Sequence, residues 1–149
     1  MVKECMIPDQ IVDKILQMLK ALEVNNLGTK EETCTKNGFQ SPNILEFVGG
    51  SKIKSDIEKI LDNDENIFHM HLIHYHGGGF QEPHNHARTE DSSFILYLND
   101  SDGNTVFENL GEIQPKKGKL VYFSSDLVHY GKPSFQDKKI CVGALKKVV

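Results

Sequence analysis

Residues 94–123 read FILYLNDSDGNTVFENLGEIQPKKGKLVYF, and this stretch decides the fold class. Residues 94–98 form a continuously apolar run, 105–107 and 119–123 are short strand-like runs, and the segments between them are rich in asparagine, aspartate, glycine and proline. Short strands with turn residues between them are typical of an all-β sandwich or barrel. Further strands are predicted at 67–75 and 140–145, and the glycines 77–79 are expected to form a flexible turn after the first of these. The fold class predicted for this half of the chain is therefore mainly β.

The N-terminal part of the chain shows a different pattern, with apolar residues at spacings of three and four that predict amphipathic helices. One helix begins at Pro8, whose missing N–H costs nothing at a helix start. A second helix is predicted from about Ser51 to Leu61. We expect one domain over residues 1–149, in which 1–66 is a helical support region packed outside a β core at 67–149.

The charge balance and the cysteines exclude several classes of protein. Lysine and arginine total 17 against 21 aspartates and glutamates, so the formal net charge is −4, and no nucleic-acid footprint is expected. The three cysteines, Cys5, Cys34 and Cys141, are odd in number and far apart, which indicates no disulfide framework and favours a reducing, cytoplasmic location. No apolar stretch approaches the roughly 20 residues of a membrane helix, so no membrane partner is expected.

The candidate functional residues are histidines. His84-Asn85-His86 is followed much later in the chain by His129. Side chains alternate along a strand, so the two histidines of an H-x-H on an extended segment point to the same side. Imidazole is the commonest side-chain ligand for borderline transition metals near neutral pH. A third histidine from another strand can close one face of such a site, so these three residues predict a metal centre with open coordination positions.

From Tyr75 to the C-terminus, the order and spacing of several motifs resemble the 2-oxoglutarate- and Fe(II)-dependent oxygenases, particularly the prolyl-4-hydroxylase-like group. The matching stretches are Tyr75-(x)8-His84-x-His86, LYLND at 96–100, GNTVF at 103–107, PKKGKLVYF at 115–123, LVH at 127–129, and Lys139 ten residues after the last histidine. The H-x-H in place of the usual H-x-D is also similar to a less studied branch found partly in phage-type and marine bacterial proteins. The resemblance implies a distorted double-stranded β-helix, a jelly-roll or cupin-like barrel whose mouth holds the iron.

The resemblance also implies a ligand set for the iron. His84 would be the first ligand, His86 would stand at the carboxylate position, and His129 would be the distal ligand. A histidine in place of the carboxylate removes one negative charge from the iron site. Glu90 and Asp91 are therefore kept as candidate replacement ligands.

For the cosubstrate 2-oxoglutarate, the resemblance implies a basic residue nine or ten positions after the distal histidine. Lys139 fits this position and Lys138 is the near alternative; because side chains alternate along a strand, only one of them can point inward. Tyr97 and Tyr75 match positions where the family often places phenols against the 2-oxoglutarate carboxylates. Iron, 2-oxoglutarate and O2 are therefore the expected cofactor and cosubstrates, with ascorbate as a candidate stimulating reductant.

The activity that the resemblance implies is hydroxylation of a substrate C–H bond, with conversion of 2-oxoglutarate to succinate. The expected substrate is a small molecule or a peptide, a peptidyl proline being one option, and a homodimer is left open. The segments 77–80 and 29–48 are the candidate substrate lids.

Two other functions stay open. The pattern H-x-H-(x)3-E, from His84 to Glu90, also resembles the first motif of the cupins, which implies a three-histidine metalloenzyme without 2-oxoglutarate. The other is a barrel that binds a metal or ligand without catalysis. Four more histidines lie on the predicted strand just before the site: His69, His71, His74 and His76. We interpret them as half-buried strand residues with ordinary hydrogen bonds, with a second metal site as the alternative.

Overall fold

The computed structural model describes residues 2–30, 35–85 and 90–148. In chain order the elements are β1 (Val2–Met6), α1 (Asp9–Val24), β2 (Thr35–Gln40), α2 (Gly50–Leu61), β3 (Glu65–His84), β4 (Ser92–Tyr97), β5 (Thr105–Phe107), β6 (Gly111–Ile113), β7 (Lys119–Ser124), β8 (His129–Gly131) and β9 (Lys138–Lys147). The strands pair in the order β1-β7-β4-β9-β3-β8-β5-β6, and β2 pairs with β3. The prediction of a mainly β fold with two N-terminal helices is confirmed.

Alternation along the strands divides the sheet into two faces. The inner face of the curled sheet carries one core cluster, formed by Ile73, Tyr75, Ile95, Tyr97, Phe107, Val121, Phe123 and Ile140. The outer face and the two helices share a second cluster, which includes Val12, Ile15, Leu19, Ile57, Met70, Leu72, Leu96, Leu120 and Cys141. The helices therefore cover the outer face, as predicted. Within the described residues, neither helix is long and apolar enough to cross a membrane.

The N-terminal region contains strands as well as the predicted helices. β1 pairs antiparallel with β7, and β2 pairs antiparallel with β3. Their sequences, VKECM and TKNGFQ, hold too few apolar residues to show the period-two pattern by which a strand is recognised. Both strands form because the backbone of a neighbouring strand offers them hydrogen bonds, which is information that the local sequence does not carry.

The glycines 77–79 lie inside β3 and do not form the predicted turn. Between Tyr75 and Phe80, β3 carries three more residues than β2 does in the interval that pairs with it. Gly78 has a φ angle of +85°, a conformation that residues with a Cβ rarely adopt. The glycine run thus absorbs a bulge in a long strand, and the strand continues beyond it to His84.

Candidate active site

His84 and His129 lie opposite each other on the neighbouring strands β3 and β8. Their ring centroids are 4.3 Å apart, with 58° between the ring planes. Metal–nitrogen bonds are about 2.0–2.1 Å long, so a nitrogen from each ring can reach one shared ion. The structure therefore brings together two of the three predicted ligands. The third, His86, lies outside the described residues.

A backbone carbonyl orients each of these two rings. Nδ1 of His84 is 2.8 Å from the carbonyl oxygen of Glu82, and Nδ1 of His129 is 3.1 Å from that of Leu127. Because a carbonyl oxygen only accepts, Nδ1 carries the hydrogen and donates it, and Nε2 keeps the lone pair that a metal needs. Burial lowers the pKa of His84, partly offset by the bond to Glu82, and so favours the neutral ring.

Aromatic side chains pack against this histidine pair from the inner face. The ring centroids of Phe107 and Phe123 lie 5.8 Å and 4.9 Å from that of His129. The two phenylalanine rings also meet each other edge to face, with centroids 4.9 Å apart. They form an apolar shell that limits the access of water to this side of the site.

Neither candidate replacement carboxylate forms a metal cluster with the histidine pair in the described part of the chain. Glu90 accepts a hydrogen bond from Ser93 at 2.7 Å, and Asp91 accepts one from the backbone N–H of Lys147 at 2.9 Å. Among the described residues, neither carboxylate belongs to a group of three metal-binding side chains whose ligand atoms lie within 4.8 Å of one another.

The two lysines at the start of β9 point to opposite faces of the sheet. Lys138 pairs with Tyr75 of β3 and is only 4% exposed, on the inner face. Lys139 pairs with His74, is partly exposed, and lines a cleft beside α1 on the outer face. Residues directly opposite each other in an antiparallel pair share a face, so the partner of each lysine on β3 determines the face to which that lysine points. Lys139, the residue expected to anchor 2-oxoglutarate, thus points away from the inner face, and Lys138 occupies the inner position.

Lys138 is a buried cation without a carboxylate partner among the described residues. Its Nζ lies 5.4 Å from the centroid of the Tyr75 ring, and a Cβ built on Gly131 would lie 3.2 Å from the same nitrogen. Burial is the cause of its altered titration, and it lowers the pKa of Lys138 from 10.5 to about 8. Burying an unpaired charge is unfavourable, and the described part of the chain supplies no anion to compensate it.

One of two hydrogen-bonded, buried hydroxyl groups lies on the strand beside Gly131, the residue against which the Lys138 ammonium lies. The Tyr97 hydroxyl donates to Thr105 Oγ1 at 2.6 Å, both side chains are buried, and Thr105 lies opposite Gly131 in the β5–β8 pair. Burial raises the pKa of Tyr97, so its phenol remains a hydrogen-bond donor at neutral pH. We refer to the following residues as the lysine pocket: Lys138, Tyr75, Tyr97, Thr105 and Gly131. Thr105 was not predicted as a site residue, and its inward position on the short GNTVF strand is the signal that could have found it.

The spacing along β8 relates the histidine pair to the lysine pocket. His129 and Gly131 are two residues apart on one strand, a distance of about 6.6 Å. The four C–C bonds of 2-oxoglutarate, each about 1.5 Å long, span about 5 Å when extended. Imidazole nitrogens suit iron, and an ammonium beside hydroxyl groups suits a carboxylate. The residues present therefore fit both an iron ion and a dicarboxylate of this length.

A cavity of about 320 Å³ opens on the same inner face. It is lined by Phe68, His69, His71, Glu90, Val142, Gly143 and Ala144. Ala144 belongs to the same cross-strand row as Phe123, which contacts His129. The cavity therefore lies on the same face of the sheet as the histidine pair, and its β9 residues are further along that strand than Lys138.

A curled antiparallel barrel with a cross-strand histidine pair and a buried lysine beside it is typical of the double-stranded β-helix oxygenases. Residues 70–145 match the family model described as the 2OG-Fe(II) oxygenase superfamily, and the chain belongs to that superfamily. The family implies Fe(II) and 2-oxoglutarate. The comparison with curated protein sequences gives no match.

Solved structures with the same fold include several prolyl hydroxylases. A prolyl-4-hydroxylase from Pseudomonas putida is 18% identical, with a TM-score of 0.75 over 99% of this chain and 93% of its own. The viral collagen prolyl hydroxylase from Paramecium Bursaria Chlorella virus-1, solved as a 2OG complex, is 17% identical, with a TM-score of 0.74 over 99% and 96%. A prolyl hydroxylase from Trichoplax adhaerens, in complex with a hypoxia inducible factor peptide fragment, is 14% identical, with a TM-score of 0.73 over 96% and 83%. The predicted double-stranded β-helix of the prolyl-4-hydroxylase-like type is confirmed.

Proposed function

We propose that this protein is a 2-oxoglutarate- and Fe(II)-dependent dioxygenase that hydroxylates a C–H bond, and that Lys138 anchors the cosubstrate. The observation that carries the proposal is the buried ammonium of Lys138, which is unpaired with any carboxylate of the described chain. It lies against Gly131, two residues along β8 from His129 of the histidine pair. A structural lysine would be expected at the surface or in an ion pair. A lysine held like this one is better explained by an anionic ligand.

The proposed roles follow from the positions of the side chains. His84 and His129 would hold the iron through Nε2, with His86 as the third ligand. Lys138 would bind the far carboxylate of 2-oxoglutarate, assisted by the hydroxyl groups of Tyr97 and Thr105. When bound, iron and 2-oxoglutarate supply oxidative decarboxylation of the keto acid by O2, to succinate and CO2, coupled to oxygen transfer to the substrate.

The apolar residues have a role in this proposal as well. Phe107 and Phe123 exclude water from the inner side of the histidine pair, which strengthens the electrostatic interactions there. Tyr75 covers the Lys138 ammonium with its ring face and stabilises the charge when no ligand is bound. These contacts hold the lysine in place before the cosubstrate arrives, so little ordering is needed on binding.

We propose a prolyl residue in a peptide as the substrate, bound in the cavity on the same face of the sheet as the histidine pair. Three structures with this fold are prolyl hydroxylases, and one of them holds a peptide. The apolar part of the cavity lining, which includes Phe68, Val142 and Ala144, suits a pyrrolidine ring. His69 and His71 in the same lining would contact the polar backbone of a peptide.

The lysine pocket also distinguishes the proposal from the cupin-type alternative. A three-histidine metalloenzyme that does not use 2-oxoglutarate has no need for a buried ammonium at this distance from the metal. The superfamily match favours the 2-oxoglutarate enzyme too.

The test is an anaerobic loading of the purified protein with Fe(II) and 2-oxoglutarate, followed by addition of O2, with and without ascorbate. Succinate release, stimulated by a synthetic proline-containing peptide that gains the mass of one oxygen atom, would support the proposal. The same peptides with alanine in place of proline are the control, and release stimulated equally by both would exclude proline as the target. A protein that binds iron but neither binds 2-oxoglutarate nor releases succinate would exclude the oxygenase function.

A further inference from the structure

The outer face of the sheet, opposite the face that carries the lysine pocket, holds a second group of side chains of the kinds that bind metals. Glu23 from the last turn of α1 meets His74 and His76 of β3, and one potential ligand atom from each lies within 4.8 Å of the others. The rings of the two histidines are 4.5 Å apart at their centroids. Two histidines and one carboxylate form a common donor set for divalent transition metals in proteins.

His74 is the central residue of this group because two carboxylates flank its ring. Its Nδ1 lies 2.7 Å from Glu23 Oε1, and its Nε2 lies 2.9 Å from Asp137 Oδ2. An ionised carboxylate only accepts hydrogen bonds, so the ring satisfies both partners only if each nitrogen carries a proton. A metal ion on the Nδ1 side can take the place of one of these protons.

We propose that Glu23, His74 and His76 form a second divalent metal site on the outer face, suited to Zn²⁺. In this arrangement Nε2 of His74 keeps its hydrogen bond to Asp137. Metal-ligating histidines usually donate their second N–H to a carboxylate or carbonyl, which fixes the ring and raises its basicity. Asp137 already stands in that position.

The local structure allows the ligands to close around an ion. Zinc bonds of about 2.0–2.1 Å require any two ligand atoms to lie within about 4.2 Å of each other, and the three ligand atoms here already lie within 4.8 Å of one another. His76 is exposed and lies in the bulge where β3 has three extra residues, so it can move without breaking the pairing of β2 with β3. His74 and Glu23 already touch and need little adjustment.

The surroundings supply charge and access. The carboxylate of Asp137 faces the group in addition to that of Glu23, and the cations that line the clefts beside it are Lys20, Lys30 and Lys139. A surface cleft of about 550 Å³, lined in part by Glu23, Lys30 and His76, opens directly at the group. An ion held there would be reached from solvent and could keep an open position for water or an exogenous ligand.

The consequence for the fold is a link between α1 and β3. Glu23 lies in the last turn of the helix that covers the outer face, and the two histidines belong to the longest strand of the sheet. An ion that binds the folded state and not the unfolded chain raises the melting temperature. The site would therefore stabilise the packing of α1 on the barrel independently of the chemistry on the inner face.

The experiment is a zinc titration of the metal-free protein by calorimetry, with thermal unfolding followed in parallel. The wild-type chain is expected to bind one more equivalent of Zn²⁺ than His76→Ala and Glu23→Gln, and to show a larger rise in melting temperature on zinc addition. Lys30→Gln is the matched control, since it lines the same cleft but supplies no ligand, and it should retain the wild-type stoichiometry. His76 is exposed, so its alanine variant is expected to fold, which circular dichroism checks.

Binding on the inner face is monitored separately in each variant, through the charge-transfer absorption that appears when Fe(II) and 2-oxoglutarate bind together. Loss of one zinc equivalent in both ligand variants, with this absorption unchanged, supports the outer site. An unchanged zinc stoichiometry in His76→Ala overturns the proposal. The proposal is also overturned if His129→Ala binds no zinc at all, because all the zinc of the wild type would then belong to the inner site.

Discussion

The ammonium nitrogen of Lys138 lies 5.4 Å from the centroid of the Tyr75 ring, on the buried inner face of the sheet. These two residues are cross-strand partners in the β3–β9 pair. The aromatic face compensates part of the unfavourable burial of a charge but does not neutralise it. Residues that lower stability in this way are common at functional sites, and substitution of Lys138 tests whether it is one of them.

Replacing Lys138 by Met is expected to weaken 2-oxoglutarate binding by at least about 30-fold, because removing one partner of a buried charge pair costs about 2 kcal/mol or more of binding free energy. Lys139→Met, one residue along the same strand, is the matched control, and its affinity for 2-oxoglutarate should stay near that of the wild type. Calorimetry with the metal bound measures both. A larger loss of affinity in Lys139→Met than in Lys138→Met would instead identify Lys139 as the residue that anchors 2-oxoglutarate.

The same Lys138→Met change is expected to stabilise the protein in the absence of 2-oxoglutarate. The pKa of Lys138 is lowered from 10.5 to about 8 by burial, so the charged form is disfavoured in the folded state. This penalty is fully present below pH 8 and disappears as the pH rises to about 10.5. At pH 7 it corresponds to about 3 kcal/mol, since a shift of one pKa unit between the unfolded and folded states is about 1.4 kcal/mol. Urea unfolding should show a gain of this order at pH 7 that shrinks towards pH 10; a loss of stability at pH 7 would contradict a buried unpaired charge.

The affinity for 2-oxoglutarate is expected to fall as the pH rises above about 8, where Lys138 loses its proton in the ligand-free protein. The decrease should approach tenfold per pH unit, because only the protonated lysine attracts the carboxylate. Arginine stays charged throughout this range. Lys138→Arg should therefore show a flat profile between pH 7.5 and pH 9.5 on the same assay (a range chosen to bracket about 8), whatever its absolute affinity. A wild-type profile as flat as that of the arginine variant would exclude titration of Lys138 as the cause.

His129→Ala is expected to abolish iron binding at the barrel mouth and to reduce succinate formation more than about 100-fold, beyond the 10–100-fold typical of losing a supporting contact. Tyr130→Phe changes the next residue on β8 and should leave both properties near the wild-type level. Iron content after anaerobic loading and gel filtration measures the first effect. Retention of one iron per chain in His129→Ala would remove this residue from the ligand set.

Tyr97→Phe is expected to lower the free energy of unfolding by about 1 kcal/mol, because it removes the buried hydrogen bond to Thr105. Thr105→Val should cost a similar amount, and the double variant should cost less than the sum, since both single changes break the same bond. If the two hydroxyl groups also contact 2-oxoglutarate, its affinity falls in parallel with stability. Additive stability losses would indicate that each hydroxyl has another buried partner.

The strands with strong apolar patterns and both helices were predictable from the sequence. The runs at 94–98, 105–107 and 119–123 coincide with β4, β5 and β7 to within a residue or two, and α1 follows Pro8 directly. An element that buries one face needs apolar residues at the period of a helix or a strand, so these elements can be recognised from the local sequence. β1 and β2 have no such signal, because their stability comes from backbone hydrogen bonds to β7 and β3.

The candidate site divides in the same way. The sequence by itself determined which residue types are available for chemistry: histidines at 84, 86 and 129, adjacent lysines at 138 and 139, and a further histidine set at 69–76. Only the tertiary structure decided which face each one occupies. Alternation guarantees that neighbouring residues on β9 point to opposite sides, but their phase depends on the partner strand, and pairing Lys138 with Tyr75 turns that lysine inward. The same register turns His74 and His76 outward towards Glu23 of α1, a contact between residues 51 positions apart that no local pattern could have indicated.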